Sequence, residues 1–133
     1  MTPSTDGATR ILLVDDFPAF RESVRSLLAE NPGYEVVGEA ADGMTATQLA
    51  ETLRPDVVLM DMNISRLDGV TATRQIKTLL PETSVIGVSA IPTSYAREEM
   101  LKAGAQGFVQ KEDISDQLLA AIEQAIRERV LHL

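Results

Sequence analysis

The stretch Ile11-Leu12-Leu13-Val14-Asp15-Asp16 determines the class of fold. Its first four residues form an unbroken apolar run, which is too short for a helix of core length. Such a run predicts a β-strand buried on both faces, as in parallel sheets. Two acidic residues follow immediately, so this strand carries carboxylates at its C-terminal end.

The remainder of the chain repeats this alternation of short apolar runs and amphipathic stretches. Further strands are predicted at 34–40, 57–60, 85–88 and 107–109, with a helix after each strand. Asp68 is the predicted N-cap of the third helix, and the fourth helix is predicted from about Thr93 to Ala103. Five strand–helix units predict an α/β fold with a doubly wound parallel sheet. Residues 1–9 are predicted to be a flexible tail preceding a single domain at 10–131.

Composition excludes several classes of protein and of binding site. The 133 residues carry a formal charge of −8, which disfavours a nucleic-acid-binding module within them. The absence of cysteine and the single histidine exclude disulfide scaffolds, thiolate metal sites and multi-histidine metal sites. No apolar run approaches the roughly 20 residues of a membrane span, and the N-terminus has no signal-peptide pattern. We therefore expect a cytoplasmic protein with no membrane contact.

Polar side chains at the strand ends indicate the chemistry, because the C-terminal ends of parallel strands lie at one edge of the sheet. Asp15 and Asp16 follow strand one, Asp61 follows strand three, Ser89 ends strand four and Lys111 follows strand five. Three close carboxylates repel one another, and a hard divalent cation relieves that repulsion. Mg²⁺ fits best because it accepts carboxylates while retaining waters and phosphate oxygens. Together, the three acids, the serine and the lysine predict a site that binds a phosphoryl group.

Each residue alone has a plainer interpretation. Asp15 and Asp16 could cap the first helix, Asp61 could be a turn aspartate, and Lys111 could be a solvated surface lysine. The combination on one predicted edge favours the phosphoryl site.

Five segments of the chain form a specific set: Ile-Leu-Leu-Val-Asp-Asp at 11–16, Pro-Asp-Val-Val-Leu-Met-Asp-Met-Asn at 55–63, Leu-Asp-Gly at 67–69, Val-Ser-Ala at 88–90 and Lys-Ala-Gly-Ala-Gln-Gly-Phe-Val-Gln-Lys at 102–111. With them, from about Arg10 to Val130, the sequence resembles the receiver domain of two-component response regulators, which is CheY-like in fold. The last segment and Gly-Glu-Ala-Ala-Asp-Gly at 38–43 resemble the NarL/FixJ subfamily, whose members usually carry a LuxR-type helix-turn-helix output domain. The resemblance implies the (βα)5 flavodoxin-like sheet with strand order 2-1-3-4-5, and it implies that residues 10–131 are a receiver domain.

The resemblance also implies a role for each matching position. Asp61 matches the phosphoacceptor, and Asp16 the direct metal ligand. The remaining implied roles are water-mediated metal binding by Asp15, metal binding by the backbone carbonyl of Asn63, phosphoryl contact by Ser89 and Lys111, an aromatic switch at Phe108, and hydrolysis tuning by Asn63 and Ile91.

The implied function is a phosphorylation-dependent signalling switch. A sensor histidine kinase or phosphotransfer protein would donate the phosphoryl group with Mg²⁺, or Mn²⁺ as its substitute. The acyl phosphate would shift the surface of the fourth helix, fifth strand and fifth helix. A homodimer could form on phosphorylation, and DNA would be reached only through an output domain outside these residues. The chain would not be a turnover enzyme, because self-catalysed phosphorylation and slow autodephosphorylation act once per phosphoryl group.

Two departures from the family pattern concern the loops. Ser65 and Glu112 stand where the family often has proline, so a cis peptide after Lys111 is not expected. Three alternatives remain: an aspartyl-nucleophile phosphatase, a flavin-binding electron carrier and a receiver-like binding module that is not phosphorylated. The phosphatase would need a second acid at position 63, where this chain has Asn63, and the flavin carrier would need a phosphate-binding loop where Asp15 and Asp16 stand.

Overall fold

The computed structural model describes residues 7–64, 67–90 and 94–131. They form five strands and five α-helices in strict alternation. The elements are β1 (Thr9–Val14), α1 (Pro18–Ala29), β2 (Tyr34–Ala40), α2 (Gly43–Leu53), β3 (Val57–Asp61), α3 (Gly69–Leu79), β4 (Ser84–Ser89), α4 (Ser94–Lys102), β5 (Gly107–Gln110) and α5 (Ile114–Leu131), with a 3-10 turn at Lys111–Asp113.

The strands form one parallel sheet in the order β2-β1-β3-β4-β5, which confirms the predicted fold. The central strands β3 and β4 are buried at every residue, as continuous apolar runs predict, whereas the edge strands β2 and β5 are mostly half-buried. The sheet therefore has helices on both faces and places all strand C-termini at one edge.

Alternate residues of the strands form two apolar layers. Leu12, Val14 and Met60 pack in the layer that also contains residues of α2, α3 and α4. Ile11, Leu13 and Leu59 pack in the layer that contains residues of α1 and α5. The period-two alternation of a strand produces this division, since neighbouring side chains point to opposite faces.

Capping residues fix where two of the helices begin. Asp68 accepts a hydrogen bond from the backbone N–H of Thr71 at 2.9 Å, which confirms its predicted N-cap role. Asp42 accepts the equivalent bond from Thr45 at the start of α2. Helix α4 spans Ser94–Lys102, within the predicted range, although Thr93 lies outside the described residues.

The predicted tail is too long at its C-terminal end. Ala8 is buried and Thr9 already belongs to β1, because Thr9 N–H donates to the carbonyl of Gly33 beside the edge strand. Residues 1–6 lie outside the described part of the chain. Among the helices that are described, none has both the length and the apolar character needed to cross a bilayer.

Candidate acidic site at the sheet edge

The three predicted acids lie together at the C-terminal edge of the sheet. Asp15 and Asp16 follow β1, and Asp61 ends β3; these strands are direct neighbours. One carboxylate oxygen from each acid lies within 4.8 Å of the others. Asp15 and Asp61 are buried, whereas Asp16 is exposed. Two acids of the cluster are therefore shielded from solvent, and the third faces it.

Lys111 supplies the positive charge of the cluster. It begins the 3-10 turn after β5, and its Nζ lies 2.6 Å from Asp15 Oδ2 and 3.5 Å from Asp61 Oδ2. The Lys111–Glu112 bond is trans, as expected without a proline. Because Lys111 pairs with two of the three acids and carries a single charge, the negative charge of the described cluster exceeds what Lys111 balances.

Burial raises the pKa of the Asp61 carboxyl above its ordinary value, and the negative charge of Asp15 adds to this effect. The backbone N–H of Asn63, 3.1 Å from Asp61 Oδ1, and the Lys111 ammonium oppose the increase without cancelling it. The ionised form of Asp61 would therefore be stabilised by a further cation nearby.

The donor set fits a divalent cation. Asp15 Oδ2 is buried, and among the described residues it accepts no hydrogen bond, although Lys111 Nζ forms an ion pair with it at 2.6 Å. Buried carboxylate oxygens normally have full partners, so this atom has capacity for another cation. Carboxylate oxygens are the ligands that Mg²⁺ prefers. Asp15, Asp16 and Asp61 could hold this ion.

Asp15 is held by hydrogen bonds to both its side chain and its backbone. Its Oδ1 accepts a hydrogen bond at 2.8 Å from the N–H of Phe17, which is the N-cap residue of α1 and receives no side-chain cap bond, so Asp15 precedes the cap and is not the helix cap itself. Its backbone carbonyl accepts a hydrogen bond from Arg21 Nη1. The orientation of Asp15 is therefore coupled to the first turn of α1.

Arg21 is in turn held by an ion-pair group centred on Glu39. Glu39 of β2 accepts from Arg21 Nε at 2.9 Å and pairs with Arg25. Partial burial works against the charged form of Glu39, but the hydrogen bonds from Arg25 and Arg21 outweigh it and leave the pKa of Glu39 lowered. Sequence reasoning missed this group, because its residues come from different elements and carry no local motif.

The other predicted residues lie around the cluster. Ser89 is buried and ends β4, beside the strand that carries Asp61. Phe108 is half-buried in β5, against the layer that contains Met100. Asn63 is exposed two residues after Asp61, and Ile91 lies outside the described residues.

Two aromatic rings near Lys111 were also missed. Its Nζ lies 4.5 Å from the ring centroid of Phe20 and 5.2 Å from that of Phe17. The spacing of Phe17 and Phe20 directly after the acid pair places the rings on neighbouring parts of one turn, but it carries no signal for their contact with Lys111.

Comparisons with known proteins give this geometry a family. The chain is 38% identical over 114 residues to the transcriptional regulatory protein DegU of Brevibacillus brevis, covering 86% of this chain and 48% of DegU. It is 44% identical over 128 residues to a protein-glutamate methylesterase/protein-glutamine glutaminase of Alkalilimnicola ehrlichii, covering 93% of this chain and 32% of that protein. The chain thus spans half or less of these two relatives.

Solved structures agree with the fold. A two-component response regulator of the LuxR family from Aurantimonas superposes with a TM-score of 0.87 at 36% identity, covering 92% of this chain and 87% of that one. The response regulator domain of Thermotoga maritima CheB gives a TM-score of 0.84 at 30% identity, covering 90% of this chain and 97% of that one. The family model described as the response regulator receiver domain matches residues 11–123, and this chain belongs to that family.

Proposed function

We propose that Asp61 accepts a phosphoryl group from a phosphohistidine of a sensor histidine kinase or phosphotransfer protein, in a reaction that requires Mg²⁺. The observation that carries this proposal is the cluster of Asp15, Asp16 and Asp61 within 4.8 Å, with Lys111 paired to two of them. Receiver domains act as signalling domains in two-component systems, so the family supports the same role.

In the proposed reaction, an Asp61 carboxylate oxygen attacks phosphorus and forms an O–P bond. The P–N bond to the donor imidazole breaks, and the imidazole nitrogen keeps the electron pair. Lys111 holds positive charge near the transferred phosphoryl oxygens, and Ser89 donates a hydrogen bond to one of them. A bound Mg²⁺ would supply charge neutralisation and orientation at the acids. Water later cleaves the acyl phosphate, so the protein acts as a switch that is used once per phosphoryl group.

Incubation with acetyl phosphate and Mg²⁺ tests this proposal by intact mass. We expect a gain of about 80 Da, the mass of one phosphoryl group, and no gain after chelation of the metal. Asp61→Asn should abolish the gain. The matched control is Asp116→Asn, an exposed acid of α5 that lies outside the cluster, and it should be modified like the wild type. An Asp61→Asn protein that still gains the mass would refute the assignment.

We further propose that the acyl phosphate recruits Ser89 and lets Phe108 turn inward, which alters the surface of α4, β5 and α5. Phosphorylation can only select between states that are already accessible. Phe108 lies beside Gly87, where a Cβ would be 3.0 Å from Phe108 Cδ1, so the absence of a side chain at Gly87 gives the ring its present space. A Phe108→Ala protein should be phosphorylated but should lose the phosphorylation-induced NMR shifts on α4; retained shifts would contradict the switch.

For output we propose regulation of transcription, through a DNA-binding segment outside these residues. Relatives named as transcriptional regulators, such as DegU and the nitrate/nitrite response regulator NarL of Escherichia coli, support this choice. The methylesterase relative offers a second kind of output.

We also propose that phosphorylation promotes a homodimer. Sedimentation of the phosphorylated and unmodified forms of the protein tests this, and a phosphorylated form that remains a monomer would contradict it.

A further inference from the structure

We propose that Phe17 and Phe20 position the Lys111 ammonium for phosphoryl transfer, as an aromatic support built from the first turn of α1. The inference rests on the proposed function, because it assigns these rings to the action of Lys111 at the same site. They are positioning residues, since their contact is with the lysine rather than with the reacting atoms.

The geometry places the ammonium between two kinds of partner. On one side, Nζ lies 2.6 Å from Asp15 and 3.5 Å from Asp61. It is also 4.5 Å from the Phe20 centroid and 5.2 Å from the Phe17 centroid, within the range of about 6 Å at which a cation is attracted to a ring face. The Lys111 side chain is only 16% exposed. The rings therefore replace part of the water that would otherwise surround the charge.

A lysine needs such support because its ammonium is a hydrated point charge on a flexible four-carbon stem, which tends to extend towards water. The trans Lys111–Glu112 bond leads into a 3-10 turn, and this turn sets the backbone but not the side-chain torsions. The two rings supply a constraint at the end of the side chain, next to the charge itself.

The rings are in turn fixed by the acid cluster. Asp15 Oδ1 accepts the hydrogen bond from Phe17 N–H, and Pro18 follows at the start of α1. Phe20 N–H donates to the carbonyl of Phe17 at 3.1 Å, which closes the turn. Asp15 thus contacts the ammonium through Oδ2 and holds the turn that carries the rings through Oδ1. This arrangement explains why a surface aromatic such as Phe17, 63% exposed, lies beside an acidic site.

A double-mutant cycle distinguishes positioning from simple packing. We expect Phe20→Leu to slow phosphorylation by acetyl phosphate about fivefold to tenfold, a loss consistent with one cation–ring contact. The affinity for Mg²⁺, followed by NMR titration, should not change, because the acids are untouched. Phe20→Tyr keeps a ring face and should restore the rate. In a Lys111→Ala background, Phe20→Leu should cause no further slowing.

Two controls address folding. Val24 lines the same small apolar cavity as Phe20 but offers no aromatic ring to Lys111. Val24→Ala should therefore lower stability and leave the phosphorylation rate unchanged. Phe17→Leu changes an exposed residue and should fold normally while slowing phosphorylation less than Phe20→Leu, because its ring is farther from Nζ.

A spectroscopic signature reports the contact without any phosphorylation. In protein with ¹³C-labelled lysine, the Lys111 Hε resonances should be shifted upfield by the rings, and Phe20→Leu should reduce that shift. Equal slowing by Phe20→Leu with and without Lys111, or an unshifted Lys111 resonance in the wild type, would overturn this inference alone. A wild-type protein that is not phosphorylated at all would overturn the proposed function, and the inference with it.

Discussion

Substitution of Gly69 by alanine should impair the site by displacing the backbone of Asp61, the proposed phosphoacceptor. A Cβ at this position would lie 2.3 Å from the Asp61 carbonyl oxygen and 2.7 Å from Met62 Cα. The first distance is about 1 Å shorter than ordinary van der Waals contact. Both neighbours are backbone atoms, so no side-chain rotation relieves the overlap. Either the Asp61–Met62 segment or the start of α3 must move.

The expected size of the effect follows from that displacement. A shift of about 1 Å in a reacting group costs on the order of 100-fold in rate, and overpacking of a buried position costs about 1–3 kcal/mol of stability. We therefore expect Gly69→Ala to be phosphorylated by acetyl phosphate about 100-fold more slowly and to unfold at lower urea concentration. Time-resolved intact-mass measurements and urea titrations determine the two quantities.

Gly107→Ala is the matched control. A Cβ there would meet only Ile86, at 3.8 Å or more, and its backbone does not require glycine. Its stability should be unchanged or higher by up to about 1 kcal/mol, because alanine restricts the unfolded chain. Wild-type phosphorylation and stability in Gly69→Ala would refute the close-packing explanation, since the same overlap would then have no consequence.

Three further predictions concern stability. Met100 lies on the face of α4 that packs against the sheet and is fully buried, so Met100→Ala should lower the free energy of unfolding in urea by about 2–5 kcal/mol. A loss below about 1 kcal/mol would contradict this prediction and show that neighbouring side chains fill the gap. Asp68→Ala should cost about 0.5–2 kcal/mol at pH 7 through loss of the N-cap. The hydrogen bond from Thr71 N–H lowers the pKa of Asp68, so its stabilisation is present above the ordinary pKa of about 4 and is lost as the pH falls through the folded-state pKa. The difference from wild type should thus shrink at pH 3, and a constant difference would contradict this origin. Arg129→Ala removes the 2.9 Å ion pair with Asp56 and should cost up to about 1 kcal/mol by thermal unfolding, whereas Arg127→Ala, at an exposed position of α5, should cost less; equal costs would argue against the pair.

The sequence predicted the strands best where burial is complete. Ile11–Val14 and Val57–Met60 are apolar because helices cover both faces of the sheet at these strands, and this requirement is visible without any long-range information. The boundary at Thr9 was not visible, because Thr9 is held by pairing with Tyr34 and by the bond to Gly33, neither of which leaves a local pattern.

Within the candidate site, the acids and Lys111 were predictable because parallel topology places every strand C-terminus at one edge. The supporting contacts were not. The rings of Phe17 and Phe20 meet Lys111 only when α1 and the turn after β5 pack together. These contacts depend on tertiary structure, which the spacing of two aromatic residues does not determine.

The close approach of α2 to the loop after β3 has a dynamic consequence. A Cβ at Gly43 would lie 1.9 Å from the Leu67 carbonyl oxygen. Leu67 itself has φ +119°, a backbone conformation that residues other than glycine rarely adopt. The described part of this loop is thus wedged between the first residues of two helices. A change in the backbone at Leu67 therefore requires the start of α2 to move as well. Ala46 and Ala50 dock α2 against the core, so the firmness of their packing also limits how far the backbone at Leu67 can move.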